Sequence, residues 1–325
     1  MRALLRRLIP LIDLLAVPLV YPSAAVLKAV RRIGVGRLRR CKRILEMVGV
    51  FPILDHYYEP LFKTGGLRSL EGQPRNLPGV DMNILGQLEL LRKFHYADEL
   101  RQFPVEKSGG QEFFYDNGSF ESGDAEYLYS VVRLFKPRRV VEVGGGYSTL
   151  LIAAALAKNA AEDGSSRGRH ICIEPYENPW LERLEIEVIR TPVQRLDSAV
   201  FRELAINDVL FIDSSHVIRP RGDVLFECLE VLPILRQGVL VHFHDVFTPR
   251  DYPTRTLCDD VKLWNEQYLL EAFLGLNNDY EVIGALNFLA HEYRDELAAK
   301  CPIFAARAVK AEPGSFWIRR VRAPQ

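Results

Sequence analysis

The residues whose chemistry is easiest to read lie in a few short runs. Val140-Val141-Glu142-Val143-Gly144-Gly145-Gly146-Tyr147-Ser148-Thr149 is an apolar strand, a glycine turn and the start of an alanine-rich helix. Such a turn lets backbone approach a ligand closely, and the helix N-terminus behind it offers unpaired N–H groups and partial positive charge. A pyrophosphate-binding turn would carry a third glycine three positions beyond Gly146, where Thr149 stands. Glu142 would also repel a pyrophosphate, whereas a carboxylate there suits an ammonium or sulfonium. Further on, Glu174 ends a second apolar run, placed to accept hydrogen bonds from both hydroxyls of a ribose.

Two later runs finish in acids and imidazoles: Phe211-Ile212-Asp213-Ser214-Ser215-His216 and Val241-His242-Phe243-His244-Asp245-Val246. Histidine can take a proton from a hydroxyl near neutral pH, which in-line attack by that oxygen requires as a new bond forms. A hard divalent ion can also orient a diol and depress a hydroxyl pKa, and Asp213 and Asp245 are natural ligands for it.

Positioning these groups on one edge requires a sheet. Candidate strands are Val140 to Val143, His170 to Glu174, Glu187 to Ile189, Val209 to Asp213, Val239 to His244, Tyr280 to Gly284 and Ser315 to Arg319. The first five read as buried parallel strands alternating with helices, and the last two as an antiparallel closure at the sheet edge. The expected fold class is therefore α/β and doubly wound, with ligands at the carboxyl ends of the strands. Residues 48–123, broken by prolines and glycines but with one good helical stretch from Asn83 to Leu100, read as a cap or lead-in to a main domain over 124–325.

The 42 basic and 42 acidic residues cancel, which removes the global positive field of a dedicated nucleic-acid binder. Five cysteines, odd in number and never in a C-x-x-C pair, signal neither a disulfide framework nor structural zinc, and fit a cytoplasmic setting.

The order of acidic residue, glycine turn, acidic residue after the second strand, then Asp197 and Asp213 resembles the class I S-adenosylmethionine-dependent methyltransferases over roughly Asp124 to Arg320. The resemblance implies a Rossmann-like seven-stranded methyltransferase sheet with S-adenosylmethionine as cofactor. It implies contacts from Glu142, Gly144, Gly146, Ser148 and Glu174, with Asp197 near the adenine and Asp124 closing the site from the preceding helix. The strand-end cluster resembles the metal-dependent sugar O-methyltransferases and the cephalosporin-hydroxylase-like group. That implies a divalent metal on Asp213 and Asp245 and, from the Asp-x-x-His spacing, His216 as general base. His244 stands where those families carry a second carboxylate. As an imidazole ligand it makes manganese a rival to magnesium. The expected activity is O-methylation of a sugar or glycoside hydroxyl on a small-molecule or glycan acceptor. An oxygenase of the cephalosporin-hydroxylase-like group and a non-catalytic, membrane-associated cofactor-binding protein are the alternatives. Thr248-Pro249-Arg250-Asp251-Tyr252-Pro253 is the expected acceptor loop.

Residues 1–47 form a separate basic, apolar arm. Residues 1–43 carry eleven Lys and Arg against Asp13 alone, a balance of +10, around the apolar run Leu8 to Leu27. Pro10, Pro18 and Pro22 are expected to break a simple spanning helix, so the arm is expected to lie peripherally on anionic membrane, at its inner face. A membrane span, and packing on the main domain or on a partner subunit of a homo-oligomer, stay open.

Overall fold

The computed structural model describes residues 2–164, 167–307 and 312–323. The chain divides into two compact units, Met1–Ser69 and Leu70–Gln325.

In the first unit one helix, α1, runs Arg2–Ile33, and a second, α2, runs Arg39–Val48. The three prolines sit inside α1 without ending it, so the expected break does not occur. Arg31 near the end of α1 donates through Nε and a terminal nitrogen to Glu59 Oε1 at 2.8 and 2.6 Å and lies 5.1 Å over the Phe51 ring. Gly49, in the left-handed conformation, closes α2 by returning its N–H to the Leu45 carbonyl.

The second unit is built on a seven-stranded sheet: β1 Arg139–Val143, β2 Arg169–Ile173, β3 Glu187–Ile189, β4 Val209–Ile212, β5 Leu240–Phe243, β6 Tyr280–Ala285 and β7 Phe316–Arg320, in the order β3-β2-β1-β4-β5-β7-β6. The five strands β1 to β5 pair in parallel, and β7 enters antiparallel between β5 and β6. This is the Rossmann-like α/β architecture expected from the alternation, with each strand within a residue or so of its expected limits. The parallel strands are near-continuous runs of Val, Leu, Ile and Phe because helices cover both faces.

Two cores flank the sheet. One is packed by the helix Asp124–Phe135 and the helix Tyr147–Asp163, with Tyr127, Leu128, Leu151 and Trp317 wholly buried. The stretch preceding Asp124 is built into this same core, where Leu91, Phe94, Leu100, Phe113 and Tyr115 are buried among the others. The other core gathers Val141, Ile212, Val231, Phe243 and Leu270 on the opposite face. Strand order reverses between β1 and β4, so the carboxyl ends of these two strands open a crevice, the usual ligand position in such sheets. None of the five cysteines is in a disulfide.

Candidate functional site

The glycine turn sits at that crevice. Gly144 has φ +83°, and a Cβ there would stand 2.0 Å from the Asp213 carbonyl oxygen, so only glycine fits. Gly146 is different: its backbone is extended and a Cβ would meet nothing within 4 Å. It borders a cavity of about 510 Å³ that also touches Phe114, Ser148, Trp180 and Asp213. A second cavity of about 460 Å³ lies on the side of Glu174, Gln194 and Ser214. Gly145, Glu177 and Asp213 border both.

Glu174 shapes the turn from β2. Its Oε1 accepts from the Tyr176 and Glu177 N–H groups at 2.9 Å each, and its Oε2 from Gly145 N–H at 3.2 Å. A carboxylate has about four acceptor directions, so one remains toward the cavity. Asn178 Nδ2 donates to the Gly145 carbonyl at 2.7 Å, fixing the turn from its other side.

Glu142, expected to face a sulfonium, is instead wholly buried beneath the turn. Its Oε1 accepts from Ser148 Oγ at 2.6 Å, and Oε2 lies 2.8 Å from His170 Nε2. Glu142 and Ser148 thus form one strut joining β1, β2 and the first turn of the following helix. Their effect on a ligand passes through the shape of the glycine turn.

At the ends of β4 and β5 the expected cluster does assemble. His216 Nε2 lies 3.3 Å from Asp213 Oδ1 and 3.6 Å from Asp245 Oδ2; His244 Nδ1 lies 3.4 and 3.9 Å from the same two atoms. Both imidazoles are buried, while the carboxylates are half-exposed. Burial alone would strip the rings of charge, but the hydrogen bonds of His216 to Asp213 and Glu266 hold its pKa well above the ordinary value. His244 is likewise opposed by burial, yet the charges of Asp213 and Asp245 push it up to about 10. Burial would raise Asp213, and the two rings overcome it, holding the carboxyl below its usual range. Asp213 and the two rings thus favour one another's charged forms. Among the described residues, no group of three or more His, Cys, Asp and Glu side chains is gathered to hold a metal ion as it stands.

His216 and Asp245 both adopt positive φ, 59° and 55°, which non-glycine residues rarely do. The His216 carbonyl accepts from Asn265 and Glu266 N–H groups at 3.0 and 3.2 Å, anchoring it to the start of the helix Glu266–Leu274. Glu266 Oε2 then meets His216 Nδ1 at 2.8 Å. Sequence reading missed Glu266: it lies fifty residues along the chain from His216, and only the fold brings the two together. The Trp264 ring lies 4.5 Å from the His216 ring, with the Lys262 ammonium 4.1 Å from its centroid.

The remaining expected residues lie elsewhere. Asp124 is buried behind His244, with its Oδ2 3.9 Å from His244 Nε2, and accepts from the Gly314 and Ser315 N–H groups at 3.1 and 2.7 Å. It braces the entry to β7. Asp197 is exposed and accepts from Ala199 N–H at 2.9 Å, a local turn cap outside the residues that line either cavity. Gln194, three positions earlier, lines the cavity instead. His242 is buried against Phe211, 4.0 Å between ring centroids, and burial holds its pKa well below the ordinary value, so it is neutral. The expected acceptor loop is tied down: Thr248 Oγ1 bonds Glu271, Arg250 bonds the Gly72 carbonyl and Glu292, and Tyr252 is buried.

Residues 141–246, which span β1 to β5 and both strand-end clusters, match the family model of a methyltransferase domain. An uncharacterized protein of Archaeoglobus fulgidus is 29% identical over 175 residues, covering 50% of this chain and 77% of its own length. A crystal structure described as a protein-L-isoaspartate O-methyltransferase (β-aspartate methyltransferase) of Plasmodium falciparum, in complex with S-adenosyl-L-homocysteine, aligns over 49% of this chain and 83% of that one. Its identity is 16% and its TM-score 0.28, a likeness too slight to bear on function. The match puts a likeness to a methyltransferase domain on residues 141–246, the part of the second unit that holds the glycine turn and the ends of β4 and β5.

Proposed function

We propose that the protein transfers a methyl group from S-adenosylmethionine to a hydroxyl oxygen, with a sugar or glycoside as acceptor. The observation that carries this reading is the position of Asp213. Its backbone packs on the glycine turn while its side chain sits between His216 and His244. The residues fit the cofactor: Gly146 leaves open the space a side chain would fill, Glu174 keeps a free acceptor direction, and two cavities meet at the turn. When bound, S-adenosylmethionine supplies an electrophilic methyl on a sulfonium.

The chain's own residues do the rest. Glu174 would hold the ribose hydroxyls, and the Gly144–Gly146 turn would seat the cofactor against the crevice. His216 would accept the acceptor's proton once deprotonated itself, with Glu266 orienting its ring from behind. Trp264 offers an apolar face on which a sugar ring can stack.

A divalent ion is the second element of the proposal, with Asp213, Asp245 and His244 as its ligands and Mg²⁺ or Mn²⁺ as the candidates. It is motivated by spacing. His244 Nδ1 lies 3.4 Å from Asp213 Oδ1 and 3.9 Å from Asp245 Oδ2, so an ion among these atoms would be shared by all three side chains. Such an ion would replace ring protons and lower the pKa of an acceptor hydroxyl. The experiment is transfer of labelled methyl from S-adenosylmethionine to sugar, lipid-linked glycan and phenol pools, with and without EDTA. Label appearing in a sugar fraction supports the reading, and loss of transfer in EDTA supports the ion. Oxygen consumption without methyl transfer would favour a hydroxylase instead, since two imidazoles and a carboxylate can also hold iron.

A further inference from the structure

We infer that the first unit is a membrane anchor in which α1 spans the bilayer, rather than an arm resting on its surface. Between Arg7 and Lys28 lie twenty residues, Leu8 to Leu27, with Asp13 the sole Asp, Glu, Lys, Arg or His among them. At 1.5 Å per residue they make about 30 Å of helix, the thickness of the hydrocarbon layer. The helix is continuous, and none of its most apolar window is buried within the molecule.

The distribution of apolar groups decides between lying on a membrane and entering it. Leu11, Leu14, Leu15, Val17, Leu19 and Val20 are each more than half exposed. At 100° per residue they point in every direction around the axis. A surface-lying helix needs a polar face for water, whereas one that is apolar all round needs an apolar solvent on every side. The hydroxyl of Ser23 already bonds the Leu19 carbonyl one turn back at 2.8 Å, so it presents no unpartnered donor to such a solvent.

The segment after α1 has the opposite character and suits the headgroup layer. In α2, Arg39, Arg40, Lys42 and Arg43 occupy one side, while Ile44 and Val48 on the other are exposed apolar groups. Tyr57 and Tyr58, both 82% exposed and in ring contact with His56 and with each other, are amphipathic rings of the kind enriched at membrane interfaces. Eight lysines and arginines lie between residues 28 and 43, against three arginines before Leu8. By the positive-inside rule the side of the membrane holding α2 and everything after it is cytoplasmic.

The test uses the full chain expressed in bacteria, with membranes washed in 1 M salt and then in alkaline carbonate. A spanning α1 keeps the protein in the pellet through both washes and releases it only in detergent, at its full intact mass. Leu14→Lys with Val17→Lys, mid-helix and on faces with no buried neighbour, should shift most of the protein to the soluble fraction with an unchanged circular dichroism melt. A cysteine introduced at Ala3 should react with an impermeant maleimide added outside intact spheroplasts, and one introduced at Arg39 only after lysis. Release of the unaltered protein by salt or carbonate, or an intact mass lacking the first helix, would overturn the proposal. So would the lysine pair staying in the pellet, or reversed labelling of the two cysteines.

Discussion

The Nδ1 of His216 lies 2.8 Å from Oε2 of Glu266, and the same carboxylate's Oε1 is buried with no hydrogen-bond partner among the described residues. Glu266 is therefore committed to the imidazole. Replacing His216 by Ala should leave binding of S-adenosylhomocysteine nearly intact in calorimetry and reduce turnover by roughly 100- to 10,000-fold. Glu266→Gln should lower kcat by a smaller factor with KM for the cofactor little changed. Equal losses in cofactor binding for both variants would contradict this division of labour.

The cluster at the ends of β4 and β5 separates by chelation. If an ion sits among Asp213, Asp245 and His244, then Asp213→Asn and Asp245→Asn should raise the metal concentration needed for half-maximal rate, and excess metal should partly restore it. A wild-type rate indifferent to EDTA would leave the two carboxylates as partners of charged imidazoles.

Gly144 and Gly146 should respond in opposite ways to the same methyl group. Gly144→Ala meets a carbonyl oxygen at 2.0 Å from a positive-φ backbone, so the melting curve should report a loss on the order of 3 kcal/mol or more. Gly146→Ala meets nothing, so the melt should hold while affinity for S-adenosylhomocysteine falls roughly tenfold. An unchanged affinity would remove the cofactor from that side of the turn.

Glu126 makes stability pH-dependent. Burial pushes its carboxyl up to about 7, against accepted bonds from the Gly123, Ile303 and Phe304 N–H groups. Below pH ~4.5 it is protonated in both folded and unfolded chains. Between there and about 7 the unfolded chain releases a proton that the folded one retains, so this contribution to stability falls as pH rises, by on the order of 3 kcal/mol in all. Urea titrations at pH 5 and 7.5 on wild type and Glu126→Gln should show the variant with the flatter dependence.

The strands were legible because buried parallel strands are unbroken apolar runs, and Asp213, His216, His244 and Asp245 because they end those runs. Glu142 misled for the same reason. An acid beside a glycine turn looks ligand-facing, yet side chains alternate along a strand, and this one points beneath the turn to His170. Asp124 and Glu266 depend on contacts across 190 and fifty residues, which no local pattern encodes. In α1 the prolines suggested a break, but three lost hydrogen bonds spread over thirty-two residues leave the rest of the ladder intact.

The contact between Gly144 and the Asp213 carbonyl makes the turn that would seat the cofactor and the strand end that carries the acid–imidazole cluster a single mechanical part. The Asp213 N–H also donates to the Val143 carbonyl at 2.9 Å, which ties the two strand ends together. On the proposed reaction, alignment between methyl donor and proton acceptor would be inherited from the register of β1 on β4, fixed at folding, rather than found anew by loop closure in each cycle.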